Sequence, residues 1–234
     1  MKRFWSDVTI DGGAILLDGR PVRTPGRAPL VLPDVALAEA IAEEWRQVSE
    51  TIDPRAMPLT GLANAAIDVI APDPQRFAAG LAAYAESDLL CYRAEGPAEL
   101  VARQAAAWDP LLDWARARYD VEFVVTAGII HRAQPPHTLA RLGQAIAAQP
   151  PFMLAALSPV VTITGSLVAA LALAEDAMPA AAIWDAARVD EAWQAEQWGE
   201  DDLATAATAT RARDYDAAVR MIALGRGATS SACG

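Results

Sequence analysis

One lysine, two histidines and two cysteines in 234 residues leave this chain short of the groups that build metal centres, disulfide frameworks and acid–base machinery. Cys91 and Cys233 stand far apart, and the second lies in a Gly/Ser-rich tail, so a disulfide framework is not expected. Cys91, within Asp88-Leu89-Leu90-Cys91-Tyr92, reads as a buried small hydrophobe before it reads as a nucleophile. Paired-cysteine metal spacing, a histidine pair one helical turn apart and a glycine-rich nucleotide loop are all missing, so neither a metal nor a cofactor is expected. His131 and His137 flank Gln134-Pro135-Pro136 in what reads as a loop; a metal pair with nearby carboxylates is conceivable there, but solvated surface histidines are the commoner case.

Long apolar runs are also missing. The most apolar stretch, Phe152 to Trp184, is interrupted by Ser158-Pro159, Thr162, Thr164, Ser166, Glu175, Asp176 and Pro179, which excludes a membrane-spanning helix and predicts buried helix instead. Met1-Lys2-Arg3-Phe4-Trp5-Ser6-Asp7 reaches an aspartate before any run long enough for a secretory signal, so a cytoplasmic protein is expected. Positive charge is scarce: the net charge is −11 and every basic side chain except Lys2 is arginine. Such a balance repels nucleic acid and anionic membrane surfaces and favours a basic or amphipathic protein partner.

What the chain has in quantity is apolar residue, 53% of it, enough to bury a core as one large domain or two small ones. Val8-Thr9-Ile10, Ala14-Ile15-Leu16-Leu17 and Arg20-Pro21-Val22-Arg23 are separated by Asp11-Gly12-Gly13 and Asp18-Gly19, which predicts a small antiparallel meander. Leu30-Val31-Leu32 is a candidate further strand. From Pro33, placed in a first helical turn, Leu37, Ala38, Ile41, Trp45 and Val48 recur at helical spacing, and a second helix is expected over residues 59–70. Trp45 continues that apolar face, so its expected role is structural, as is that of Arg20 and Pro21 in the turn at Asp18-Gly19.

Pro72-Asp73-Pro74 punctuates the chain, and beyond it helices are predicted over 97–108, 110–119 with Asp109 as cap, 138–148, 160–174, 180–198 and 203–224. The fold class is therefore α+β, mostly α, with an N-terminal β-rich domain carrying two helices over 1–75, a C-terminal helical bundle over 76–225, and a disordered tail over 226–234.

The stretch from Trp184 to Asp202 is the richest in functional side chains, with seven acids against one arginine. On one continuous helix Val189, Trp193 and Glu196 share a face, Trp184, Arg188, Glu191 and Trp198 share another, and Gly199 reads as the helix end. Glu191 and Glu196 near tryptophans could form a hydrolase acid/base pair. Acid-rich helix faces are usually just solvated, but three tryptophans among these acids point to a binding site for a basic partner.

Several motifs resemble, in order and over nearly the whole chain, the ATP synthase assembly factors that chaperone the alpha subunit (mitochondrial assembly factor two type). They are Leu17-Asp18-Gly19-Arg20-Pro21-Val22-Arg23-Thr24-Pro25, Glu43-Glu44-Trp45, Met57-Pro58-Leu59-Thr60, Leu62-Ala63-Asn64, Asp88-Leu89-Leu90-Cys91-Tyr92-Arg93, Trp108-Asp109-Pro110-Leu111, Thr164-Gly165-Ser166-Leu167, and Asp190-Glu191 with Glu196-Gln197-Trp198-Gly199. The resemblance implies an orthogonal C-terminal bundle and a non-enzymatic activity: transient binding of unassembled F-type ATP synthase alpha subunit, protection from aggregation, and transfer to the beta subunit. The absence of a transit peptide departs from the mitochondrial members, so a bacterial cytoplasmic member is expected, and a monomer is the expected state. Glu196, Trp198 and Gly199 carry the family's acidic motif, and Asp190, Glu191 and Trp193 join them as expected partner-binding residues. A stable structural subunit of the synthase is the competing reading within that resemblance.

Overall fold

The computed structural model of the chain describes residues 2–199 and 202–231. Contacts group it into two compact units: the chain up to Pro74 with Pro150–Ala156 and the segment from Asp216, and Gln75–Gln149 with Leu157–Tyr215.

In the first unit, β1 (Val8–Asp11), β2 (Ala14–Leu17) and β3 (Arg20–Pro21) form the expected antiparallel meander, with Val8 opposite Leu17 and Leu17 opposite Arg20. Both turns place consecutive residues in the left-handed region, Gly12 and Gly13 in one and Asp18 and Gly19 in the other, as two-residue hairpins require. Asp18 accepts the amides of Ser6 and Asp7, which ties the entering chain to the second turn. Leu30 to Leu32 forms no separate strand; it is bridged to β2 through the Ile15 amide and the Leu30 carbonyl.

Helix α1 (Val35–Gln47) is capped by Asp34, whose side chain accepts the Leu37 amide, so Pro33 precedes the cap instead of occupying the first turn. Trp45 lies in the core on the edge of Trp5, with ring centroids 5.4 Å apart. Its neighbour Glu44 is also buried and accepts three hydrogen bonds, from the Leu59 amide (2.8 Å), the Thr60 amide (2.8 Å) and the Thr60 hydroxyl (2.7 Å). Those amides open α2 (Pro58–Ala65), whose own cap residue, Met57, offers no side-chain acceptor. Glu44 therefore caps α2 from another helix, satisfying donors that would otherwise be orphaned in the core. A wider π turn over Ala66–Ile70 continues α2.

The second unit contains α3 (Pro74–Ala82), two short 3₁₀ turns, β4 (Tyr92–Arg93), α4 (Ala98–Tyr119), β5 (Thr126–Ala127), parallel to β4, and α5 (Pro136–Ala147). It is completed by residues of α6 (Pro151–Thr164), α7 (Leu167–Ala174), α8 (Ala180–Ala187), α9 (Val189–Trp198) and α10 (Asp202–Ser231). Where two helices are expected over 97–108 and 110–119, α4 is one helix with Pro110 inside it. Asp109 caps nothing and instead accepts from Arg93 at 2.7 Å. The single helix expected over 160–174 is two, because Gly165 turns left-handed (φ +65°) and Ser166 caps α7 through the Ala169 amide. The helix expected over 180–198 is likewise two, broken at Arg188. α10 continues as helix through residues 226–231, and residues 232–234 lie outside the described residues.

Asp88 locks this unit at the α6–α7 break. Fully buried, it accepts from the Leu90 and Val168 amides at 3.1 Å each. Burial raises its pKa to about 6 in spite of the hydrogen bonds from Ser166 and those amides, which pull the other way. Burial, and then the charge of Asp88, pushes the Cys91 thiol up to about 12, so it is an inert core group at neutral pH.

Candidate partner-binding site

α9 carries five of the six expected partner-binding residues within the helix and the sixth, Gly199, at its end. Gly199 adopts φ +87° and its amide bonds the Ala195 carbonyl at 2.9 Å, ending the helix as expected. Glu200 and Asp201 lie outside the described residues. The break at Arg188 divides the face expected to run from Trp184 to Trp198: Trp184 packs in α8 against Tyr215, at 5.2 Å between centroids.

The remaining residues sort onto two sides of α9. On one, Asp190, Trp193 and Glu196 engage α4. Asp190 accepts from the buried Gln104 at 2.6 Å, and Gln104 in turn accepts the Ala94 amide at 2.8 Å. Trp193 is buried, with the Arg103 guanidinium 4.8 Å from its ring centroid. The same guanidinium donates to both carboxylate oxygens of Glu196 (2.8 and 2.7 Å) and to Glu99 (3.0 Å). Trp193, Arg103 and Glu196 thus form a stack in which the apolar ring supports a cation and the cation holds a surface carboxylate.

On the other side, Glu191, Gln194, Ala195 and Trp198 follow one another at helical spacing and line an open groove of about 490 Å³. Its opposite wall is Ala204, Thr205, Thr208 and Arg211 of α10. Arg211 donates to both oxygens of Glu191 (2.8 and 3.1 Å), and Arg188 adds a third bond at 3.2 Å. Burial opposes ionisation of Glu191, but the hydrogen bonds from Arg211 and Arg188 outweigh it and hold its pKa below the usual carboxylate range. Trp198, at the rim, is 78% exposed.

Glu191 and Glu196 consequently do not form an acid/base pair. Each pairs with arginine on a different side of the helix, and Glu191 is shifted away from what a general acid needs. The histidines also separate: His131 meets Tyr92 (3.2 Å), whereas His137 falls in the first turn of α5, not in a loop, and meets the Asp120 carbonyl (3.1 Å). Arg103, Gln104 and Arg211 were not legible as site residues, because their roles depend on which helices become neighbours. Only the Glu99-to-Arg103 spacing on α4 hints at one of them.

Fold and site define a mostly helical α+β protein whose prominent exposed tryptophan borders an open groove, the anatomy of a protein that binds other proteins. A family model described as ATP12 chaperone protein matches residues 2–116. Atp12 from Paracoccus denitrificans is 45% identical, with a TM-score of 0.90 over 95% of this chain and 97% of that one, and a point mutant of the same protein superposes equally well. The Atu1473 protein of Agrobacterium tumefaciens is 43% identical, with a TM-score of 0.89 over 94% of this chain and 85% of that one. The chain belongs to the ATP12 chaperone family.

Proposed function

We propose that this chain is a bacterial cytoplasmic chaperone that binds the unassembled alpha subunit of the F-type ATP synthase, keeps it from aggregating and passes it to the beta subunit. The observation that carries the reading is Trp198, a large aromatic exposed at the rim of the α9–α10 groove and flanked by ion-paired acids. Aromatic anchors of this kind dominate the energy of protein interfaces, while surrounding charges set orientation and partner choice. The net charge of −11 suits a partner surface richer in arginine and lysine, and the fixed carboxylates of Glu191 and Glu196 are preorganised to meet it. Asp190 and Trp193 support that surface from beneath, through Gln104 and Arg103.

The test is light scattering of isolated alpha subunit with and without the purified chain, as a monomer at low concentration. Wild type should suppress aggregation. Trp198→Ala and Glu196→Lys should each lose most of that suppression while melting within a few degrees of wild type, because an exposed ion pair contributes only about 0–1 kcal/mol. If neither variant loses suppression, the site is elsewhere. Should wild type itself fail, alpha is not the client, and persistence of the chain in finished synthase would identify a structural subunit instead.

A further inference from the structure

We propose that the outer edge of β5, with the exposed valines and isoleucines on either side of it, is a second docking surface that takes an apolar, arginine-flanked segment of a partner protein as an added β-strand. This goes beyond the α9 site and does not depend on it.

The chain between α4 and α5 is tied down along one edge only. Gly128 donates to the Arg93 carbonyl of β4 at 2.9 Å, continuing the parallel pairing of Tyr92 with Thr126 and of Arg93 with Ala127. Upstream, Val124 is held at both backbone groups by the buried Gln134 side chain, which accepts its amide at 3.0 Å and donates to its carbonyl at 2.9 Å. Backbone groups alternate in direction along a strand, so those of Val125 and Ala127 turn to the opposite edge. There the Thr126 hydroxyl donates to the Ala127 carbonyl at 3.3 Å, and no third strand covers the edge among the described residues.

Edges of this kind are ordinarily guarded by charge or proline. Phe123-Val124-Val125-Thr126-Ala127-Gly128-Ile129-Ile130 contains neither. Val124, Val125, Ile129 and Ile130 are all exposed, Ile129 at 97% more than any other large apolar side chain described. Open amides and carbonyls call for an extended chain, and the apolar side chains beside them call for apolar ones in return.

Charge decides the flanks of that occupant. Glu95 lies against Gly128, where a Cβ would stand 3.1 Å from its carboxylate, Glu86 faces His131 at 3.8 Å, and Glu122 precedes the run. Neither Glu95 nor Glu122 is ion-paired among the described residues, whereas Arg93 on β4 and Arg116 over the Phe123 ring already bond Asp109 and Asp113. That leaves Arg132 and, when protonated, His131 against three carboxylates, a balance that favours basic residues beside the apolar segment. A second copy of this chain would bring the same carboxylates and another net charge of −11 to the contact, which opposes edge-to-edge pairing.

Fluorescence anisotropy with a labelled peptide of alternating valine and threonine, flanked at each end by arginines, tests this. Wild type should bind it. Methylating the core amides of the peptide keeps its side chains but removes its donors, and should weaken binding roughly threefold to tenfold. Ile129→Ser with Ile130→Ser should weaken it roughly tenfold while melting within a few degrees of wild type, because both side chains are exposed. Trp198→Ala should bind as wild type does. The proposal is overturned by a wild type that leaves the peptide free, by equal binding of the methylated peptide, or by full binding in the double variant. It is equally overturned by loss of binding in Trp198→Ala, by preference for a glutamate-flanked peptide, by phosphatidylcholine vesicles that displace the peptide, or by a wild-type dimer in sedimentation that the double variant dissolves.

Discussion

Two carboxylates in this protein do structural work that their surroundings make measurable. Asp88 has a folded pKa of about 6 against an ordinary value of 3.8. Between those values the folded state holds the proton more tightly than the unfolded chain, so the contribution of Asp88 to stability is full below about pH 4 and is lost as pH rises through 6. Carboxyl-carbon NMR should show a midpoint near 6 for this residue. Chemical denaturation of Asp88→Asn should then lose that decline between pH 4 and 6, and an unchanged decline would assign it to another group. Glu44, accepting three hydrogen bonds in the core, should be the costlier one to delete: Glu44→Ala orphans two amides and a hydroxyl, a loss of about 2–4 kcal/mol by denaturant titration. Both residues stand in motifs visible in the sequence, Glu44 beside Trp45 and Asp88 three residues before Cys91. Their partners, Thr60 and Ser166, stand in other such motifs, so the pairing became visible only with the fold.

Among the elements, the meander and α1 were legible because tight hairpins and amphipathic helices leave short-range signatures: Asp-Gly steps in one case, the Leu37–Ile41–Trp45 spacing in the other. Helix boundaries were less so. Pro110 reads as a helix start, yet packing of Trp108, Leu111 and Leu112 in the core carries α4 straight through it, and the lost bond to the Ala106 carbonyl is tolerated. Pro110→Ala should restore that bond and raise stability by about 1–2 kcal/mol. Gly165 gave the converse error. Apolar residues on both sides suggest one helix, and only the left-handed glycine followed by a serine cap marks the break. Gly165→Ala should cost about 1–2 kcal/mol through backbone strain, since its Cβ meets nothing closer than Leu89 at 3.6 Å. The same limit applies to α9: its acids and tryptophans were legible as a group, but their division between α4 and the groove depends on which helices become neighbours, with Arg103 lying 93 residues from Glu196 and Arg211 20 residues from Glu191.

At the scale of the whole molecule, the chain combines a strong negative charge with an open, tryptophan-rimmed groove in its second unit. The first unit also draws on distant stretches of sequence: its sheet and α1 come from the first 74 residues, but it takes in Pro150–Ala156 and the chain from Asp216, where Ala218, Met221 and Ile222 are buried. A chain ending at Tyr215 should therefore keep the helices of the second unit by circular dichroism while residues 1–74 become sensitive to limited proteolysis; equal resistance would show that the terminal segment is dispensable. During synthesis this arrangement imposes an order. Residues 1–74 are made well before the stretch from Asp216 that completes their core, so that core stays open, its apolar side chains uncovered, until α10 has emerged.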